Sequence, residues 1–122
     1  MVRGSRFSHA QTLDRLIAAI AAHGATLFAV IDHTANAATV GLELPPTSVL
    51  IFGNPAVGTP VMLAAPSLAL DLPSRILVRS TVNRTVDVIY LDPAELAERH
   101  GLAGDDVTGL AGLVRIVDDV LR

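Results

Sequence analysis

The chain has 122 residues, a formal net charge of −3 and no cysteine, and its cations are all arginines. The missing thiols exclude disulfides, thiolate nucleophiles, zinc–thiolate sites and iron–sulfur clusters, and the missing lysine excludes Schiff-base chemistry. Because the arginines are scattered, no basic stripe is available for nucleic acid, so we expect no nucleic-acid partner.

The hydropathy pattern predicts neither a membrane span nor a secretion signal. No apolar run approaches the roughly 20 residues that cross a bilayer, and the N-terminus lacks an apolar signal core. We therefore expect one cytoplasmic domain over residues 1–122 with no membrane partner. The sequence identifies no cofactor, and we expect none.

Apolar residues make up 51% of the chain, and the mean hydropathy is positive. A small domain has much surface for its volume, and a surplus of apolar surface usually marks a contact. The composition therefore predicts a homodimer. The alternative is a compact, alanine-rich monomer.

The first half of the chain contains clear element signals. Apolar residues at helical spacing predict a helix over 9–23, which ends at Gly24. The continuous run LFAVI predicts a strand over 27–31 that is buried on both faces or nearly so. A short helix over 35–40, capped by Thr34, and a strand over 48–52 follow.

In the second half, Thr59 before Pro60 predicts a helix over 60–65, with Thr59 as N-cap. Two strands, 76–78 and 86–91, are joined by a hairpin in which Asn83 takes the left-handed conformation. Two segments are left open: residues 1–7 contain a short strand or none, and residues 66–73 form a helical turn or an extended segment. The C-terminal predictions are a helix over 94–100, a polar loop over 103–109 and a final helix with its apolar stripe between 110 and 121.

This order predicts an α+β fold. We expect two layers, with a mostly antiparallel sheet of about four to five strands and helices packed on one face, because the chain has a hairpin and few crossover connections. The sequence shows no internal repeat and no linker.

Several short motifs, in one order and across nearly the whole chain, resemble the family known as domain of unknown function 302. They are FAVIDH at 28–33, VGLELPP at 40–46, VLIFGNP at 49–55, GTP at 58–60, LDLP at 70–73, YLDP at 90–93 and RHG at 99–101. The resemblance implies a strand–helix–four-strand–helix fold of the TATA-binding-protein-like kind, often dimeric. It implies neither DNA binding nor an established activity.

Asp32 and His33 form the first candidate site, because they end a predicted buried strand. A carboxylate beside an imidazole is suited to general acid–base chemistry near neutral pH. The alternative is structural: Asp32 caps the following helix or pairs with an arginine, and His33 bonds to backbone.

The loop from Gly53 to Thr59 forms the second candidate site. Gly53, Asn54, Gly58 and Thr59 predict a backbone nest for an anion at a helix N-terminus, although the spacing does not match a P-loop. The alternative is a structural turn. We expect this loop and Asp32–His33 to converge at two strand ends.

Three function hypotheses follow from these sites. The first is a small ligand-binding or regulatory homodimeric module that binds a small molecule through Asp32, His33, Gly53, Asn54, Gly58 and Thr59. The second is an enzyme that uses Asp32 and His33 on a small anionic substrate. The third is a metal- or haem-binding protein that uses His33 or His100, although no histidine pair has ligand spacing. The sequence does not favour an enzyme.

Overall fold

The computed structural model describes residues 1–102 and 108–122. Its strands are β1 (Val2–Ser5), β2 (Thr26–Asp32), β3 (Thr47–Gly53), β4 (Ser74–Ser80) and β5 (Val86–Ile89). Its α-helices are α1 (His9–Ala22), α2 (His33–Ala38), α3 (Pro55–Ala64), α4 (Pro93–Arg99) and α5 (Gly112–Leu121). A 3-10 turn, Pro66–Leu70, lies between α3 and β4.

The strands form one sheet in the order β1-β5-β4-β3-β2, and every neighbouring pair is antiparallel. The predicted α+β class with a mostly antiparallel sheet is confirmed. The question left open for residues 1–7 is answered by β1. β1 lies at one edge of the sheet, beside β5. β2 lies at the other edge, and β4 is the middle strand.

The main core lies between one face of this sheet and two helices. Alternate residues of β3, β4 and β5 point toward α1 and α5, which bury their own apolar stripes against them. The residues that are fully shielded from solvent include Leu16 and Ile20 of α1, Leu50, Ile76, Val78, Val88 and Val117. Burial of such a side chain stabilises the fold by about 1.5–3 kcal/mol each.

A smaller apolar cluster joins the remaining helical segments. Val61 of α3, Leu68 of the 3-10 turn and Leu96 of α4 form its buried centre with Ala65. Its members lie in the segments that follow β3 and β5, so the cluster sits at the end of the sheet where those strands finish. No helix in residues 1–102 and 108–122 combines the length and apolar character that crossing a bilayer requires.

The helix predicted to begin at Pro60 begins instead at Pro55. Asn54 is its N-cap, and its side chain accepts a hydrogen bond from the Ala56 amide. Asn54–Pro55 is itself an N-cap followed by proline at N1, and this earlier signal prevails over Thr59–Pro60. Pro60 therefore lies inside the helix.

The prediction that residues 27–31 are buried on both faces is wrong. β2 is an edge strand, and Phe28 and Val30 are 51% and 47% exposed. A continuous apolar run indicates a strand, but it does not reveal whether a second neighbour covers it. In the hairpin after β4, Arg84 rather than Asn83 has a positive φ.

Two further element boundaries differ from the sequence prediction. The short second helix covers His33–Ala38, and Asp32 rather than Thr34 caps it. Residues 66–70 form a 3-10 turn, one of the two conformations left open for that segment. The polar loop predicted for 103–109 falls mostly on residues 103–107, which lie outside the described part of the chain.

Candidate functional site

A cleft of about 660 Å³ opens at the end of the sheet where β3 runs into α3. It lies between the end of β3, the N-terminal half of α3, the residues that lead into β4 and the first turn of α5. Its volume falls in the range of small-molecule sites, roughly 300–1,000 Å³.

The wall of the cleft is mainly apolar. The apolar side chains come from several separate segments, so the complete fold is needed to bring them together. They include Phe28, Phe52, Val57, Met62, Leu72, Leu113 and Ile116. A small set of polar side chains interrupts this wall: His23, Asn54, Thr59, Ser74, Thr108 and Arg115. No carboxylate belongs to the lining among the described residues.

Phe28 reaches the cleft because β2 has a bulge. The pairing of β2 with β3 shifts register between Leu27 and Ala29, so Phe28 is the extra residue. Its ring lies against Gly53: a Cβ on Gly53 would stand 3.3 Å from Phe28 Cε2. Glycine at this position therefore allows the ring to approach the backbone. Bulges of this kind re-aim a side chain near functional sites.

Asn54 closes the loop that was predicted to hold an anion. Its Oδ1 accepts from Ala56 N at 3.0 Å, and its carbonyl oxygen accepts from Val57 N and Gly58 N at 2.9 and 2.8 Å. Its Nδ2 donates to the Gly24 carbonyl oxygen at 3.4 Å. The amides of Ala56, Val57 and Gly58 therefore donate to Asn54, as the structural-turn alternative expects. They are not available to bind an anion in the predicted backbone nest.

Gly53, Asn54, Gly58 and Thr59 all line the cleft, but Asp32 and His33 do not. Asp32 pairs with Ser48 at the start of β3, whereas Gly53 pairs with Thr26. Gly53 lies five residue steps after Ser48, which corresponds to about 17 Å along the strand. The predicted convergence is wrong, because antiparallel pairing sets the end of β2 beside the start of β3.

Asp32 has a local structural role. Its Oδ1 accepts from Ala35 N at 2.9 Å and caps α2, as the structural alternative proposed. His33 is the exposed first residue of that helix. A second, more open depression is lined by Thr34, Ala38 and residues 42–45, and it includes neither Asp32 nor His33.

His100 lies in a hydrogen-bonded chain with Ser67 and Asp71. Its Nε2 contacts Asp71 Oδ2 at 2.6 Å, and its Nδ1 contacts Ser67 Oγ at 2.8 Å. Arg99 adds a longer ion pair to Asp71 at 3.5 Å. The side chains of His100 and Asp71 are 8% and 13% exposed. The contact ties the 3-10 turn to the end of α4.

This arrangement determines the charge of Asp71 and the availability of His100. The hydrogen bond from His100 holds the pKa of the Asp71 carboxyl below its ordinary value; partial burial opposes this effect, and the Arg99 charge adds to it. Both imidazole nitrogens are engaged, so neither is free to bind a metal. In the described part of the chain, no three His, Cys, Asp or Glu side chains form a metal-binding group.

Ser67, His100 and Asp71 have the residue types of an acyl-transfer relay. They line neither the cleft nor the second depression. A nucleophile needs a substrate cavity beside it, so this geometry favours a structural tie over catalysis.

Sequence reasoning missed four residues of the cleft that matter most, namely Phe28, Met62, Leu72 and Arg115. Phe28 is placed by a bulge and Leu72 by the turn before β4, and neither has a distinctive local pattern. Arg115 is recognisable only as an outward position of an amphipathic helix. Arg115 lies in the first turns of α5. Its place at the cleft depends on how α5 packs against the sheet, which the local sequence does not show.

Three comparisons place the chain among known proteins. The family model described as "Domain of unknown function DUF302" matches residues 1–120. The crystal structure of an uncharacterized conserved protein DUF302 from Bacillus stearothermophilus is similar with a TM-score of 0.83. The likeness covers 99% of this chain and 94% of that chain at 17% sequence identity, and it shows the fold.

Two curated relatives carry the name "Fluoride-specific ion channel FluC 1". The protein from Brucella suis biovar 1 (strain 1330) is 43% identical over 98 residues, which are 80% of this chain and 39% of that protein. The protein from Brucella abortus biovar 1 (strain 9-941) is also 43% identical over 98 residues, which are 36% of its length. The chain therefore spans less than half the length of these relatives.

The family model covers nearly the whole sequence, and the solved structure agrees with it over the entire fold. The chain belongs to the DUF302 family, whose function is unknown.

Proposed function

We propose that this chain is a regulatory module that binds a small organic molecule in the cleft beside α3. The observation that carries the proposal is the cleft itself: an apolar cavity of about 660 Å³ with a few polar side chains at its wall. Such cavities are the usual form of small-molecule sites. The bulge that turns Phe28 toward Gly53 supports the same assignment.

The lining indicates the chemistry of the ligand. Most of the wall is apolar, so the body of the ligand is apolar. Arg115 supplies a positive charge, and no carboxylate lines the cleft among the described residues. An organic anion with an aromatic or aliphatic body fits this combination, with its charged group near Arg115 at the solvent side.

The regulatory part of the proposal draws on the Brucella relatives. In these proteins, a segment similar to this chain is less than two fifths of a longer protein named as a fluoride-specific ion channel. A ligand-binding module beside a second functional unit is a common means of control. The apolar composition and the exposed large apolar side chains support a homodimer, and the absence of cysteine fits a reducing cytoplasm.

A titration with 8-anilinonaphthalene-1-sulfonate, a fluorescent organic anion with an apolar body, tests this site. We expect saturable binding to the wild type and at least tenfold weaker binding to Gly58→Leu. A Cβ on Gly58 meets only Leu72 Cδ1, at 3.8 Å, so a side chain can begin there without a backbone clash, and Gly58 lines the cleft that the added atoms would occupy. Ala64→Leu is the matched control, because it adds the same side chain at an exposed position of α3 outside the cleft.

Two further arms identify the ligand class. Arg115→Gln should weaken binding of the sulfonate up to about fivefold, because an exposed ion pair contributes at most about 1 kcal/mol. The same substitution should leave the binding of N-phenyl-1-naphthylamine, which is neutral, unchanged. Sodium fluoride should not compete, because an apolar cleft cannot replace the hydration of so small an anion. Equal binding by wild type and Gly58→Leu would show that the cleft is not the site.

A further inference from the structure

A histidine stands at the wall of the cleft in contact with a carboxylate. Among the described residues that line the cleft, His23 and Arg115 alone can carry a positive charge. His23 is the C-cap residue of α1, and its Nε2 contacts Asp119 Oδ2 at 2.5 Å. Asp119 belongs to α5 and does not line the cleft. The carboxylate therefore contacts the imidazole from outside the cleft.

The contact with Asp119 determines what the second ring nitrogen of His23 can do. A carboxylate only accepts hydrogen bonds, so Nε2 donates to it and keeps its proton. In the neutral imidazole, Nδ1 is then an acceptor; in the protonated imidazole, it is a donor. Within the described part of the chain, Nδ1 has no hydrogen-bond partner of its own. One proton therefore changes this nitrogen from a group that repels an anion to one that binds it.

The fold brings His23 and Arg115 to the same part of the cleft. Asp119 follows Arg115 by four residues in α5, a spacing that places both side chains on one helix face. On the other side, Asn54 Nδ2 donates to the carbonyl oxygen of Gly24, the residue after His23, at 3.4 Å. Arg115 forms no salt bridge among the described residues. Its charge is therefore available to a ligand.

We propose that His23 is a pH-dependent second contact for the anionic group of the ligand, and that Asp119 is its positioning residue. The inference deepens the proposed function and rests on it. When the imidazole is protonated, Nδ1 and the Arg115 guanidinium both donate to the anionic group. Two donors from separate helices need separate acceptor atoms, so the group is an oxyanion with at least two oxygens, such as a carboxylate or a sulfonate.

The other elements around His23 bring no further charge in the described residues. The last turn of α1, the residues that lead into β2 and the whole of α3 have no charged side chain. The charged groups from α5 are Asp119, which contacts the ring, and Arg115, which lines the same cleft. Arginines and aspartates ordinarily keep their charge between about pH 6 and pH 8, whereas an imidazole ordinarily does not. A change in anion binding over this range therefore points to His23.

Titration of 8-anilinonaphthalene-1-sulfonate at pH 6 and at pH 8 tests this contact, because the sulfonate is ionised at both. We expect wild type to bind it about two- to fivefold more tightly at pH 6, the range that one exposed ion pair contributes. His23→Gln should bind equally at both. His33→Gln is the matched control: it removes an exposed imidazole outside the cleft and should keep the wild-type pH dependence. Neutral N-phenyl-1-naphthylamine should bind wild type equally at both.

Two substitutions of Asp119 separate its positioning role from its charge. Asp119→Asn and Asp119→Ala remove the same negative charge, but only the amide keeps an oxygen that accepts from Nε2 of His23. The Asp119 side chain is 50% exposed, so both variants should fold. We expect Asp119→Asn to keep the pH dependence of sulfonate binding and Asp119→Ala to lose it.

The outcomes distinguish this inference from the proposed function. Sulfonate binding by wild type that is equal at pH 6 and pH 8, or a pH dependence that persists in His23→Gln, would overturn the role of His23. The same pH dependence in Asp119→Ala and Asp119→Asn would overturn the positioning role of Asp119. Neither result affects the cleft as a binding site, which fails if wild type and Gly58→Leu bind equally.

Discussion

The hydrogen bonds around Asp71 show how single side chains join segments that share no sheet pairing. Asp71 ends the 3-10 turn, His100 ends α4, and their contact of 2.6 Å links these two positions. In the neutral imidazole, Nε2 donates to the carboxylate and Nδ1 accepts from the Ser67 hydroxyl. The link therefore stabilises the fold most while Asp71 is ionised, because a carboxylate accepts a stronger hydrogen bond than a protonated carboxyl group.

Asp71→Asn should reduce stability at pH 6 and matter less at acid pH. The pKa of Asp71 is lowered in the folded state, so its stabilisation is present above the ordinary carboxyl pKa of about 3.9 and is lost as pH falls through the lower folded value. Thermal unfolding followed by circular dichroism from pH 2 to 7 measures this.

Asp14→Asn is the control, because Asp14 is exposed and has no salt bridge among the described residues. Its difference from wild type should stay small and constant with pH. A constant difference for Asp71→Asn over the same range would contradict the assignment.

Individual residues of the cleft were only partly predictable. Gly53, Asn54, Gly58 and Thr59 line the cleft, and the sequence marks this loop because turn residues after an apolar run indicate the end of a strand. Phe28 was assigned to a buried strand, and its role depends on a register shift relative to β3. A register shift is set by pairing with a strand distant in sequence, so no local pattern contains it.

At the scale of single elements, α3 shows two competing start signals. Both Asn54–Pro55 and Thr59–Pro60 place a capping residue before proline. The helix begins at the first of them, and Pro60 is tolerated five residues later. The sequence thus contained the correct start, but it did not indicate which of the two the fold would use.

Asn54→Ala should destabilise the protein by about 1 kcal/mol, the usual cost of removing an N-cap side chain. Asn54→Asp should retain most of that stability, because a carboxylate oxygen still accepts from Ala56 N. Urea unfolding at pH 7 gives both values.

Asn36→Ala is the control for this prediction. Asn36 is exposed in α2 and caps nothing, so its loss should cost no stability. If Asn54→Asp is as destabilised as Asn54→Ala, the Nδ2 hydrogen bond to Gly24, rather than the cap, is the important contact.

Element types were more predictable than element environments. The apolar runs at 27–31 and 48–52 both indicated strands, and both form strands. One became an edge and the other an interior strand because β3 has neighbours on both sides and β2 has one. Strand order is a property of the whole chain, which explains why Phe28 and Val30 were wrongly expected to be buried.

At the scale of the whole molecule, the sheet has a core face and an opposite face. The core face packs against α1 and α5, and the opposite face carries the half-buried Val49, Leu77 and Ile89. The cleft lies at the end of the sheet, where the ring of Phe28 lies against Gly53. The antiparallel order also explains why Asp32–His33 and the 53–59 loop are apart: β2 and β3 run in opposite directions.

The central claim is that the cleft beside α3 holds a small organic molecule. Native mass spectrometry of wild type and Gly58→Leu, purified from the same cells without added ligand, tests it most directly. We predict a dimer of the wild type with a non-covalent small-molecule adduct, and loss of that adduct from Gly58→Leu but not from Ala64→Leu. The same adduct on the wild type and Gly58→Leu, or none on the wild type, would contradict the account.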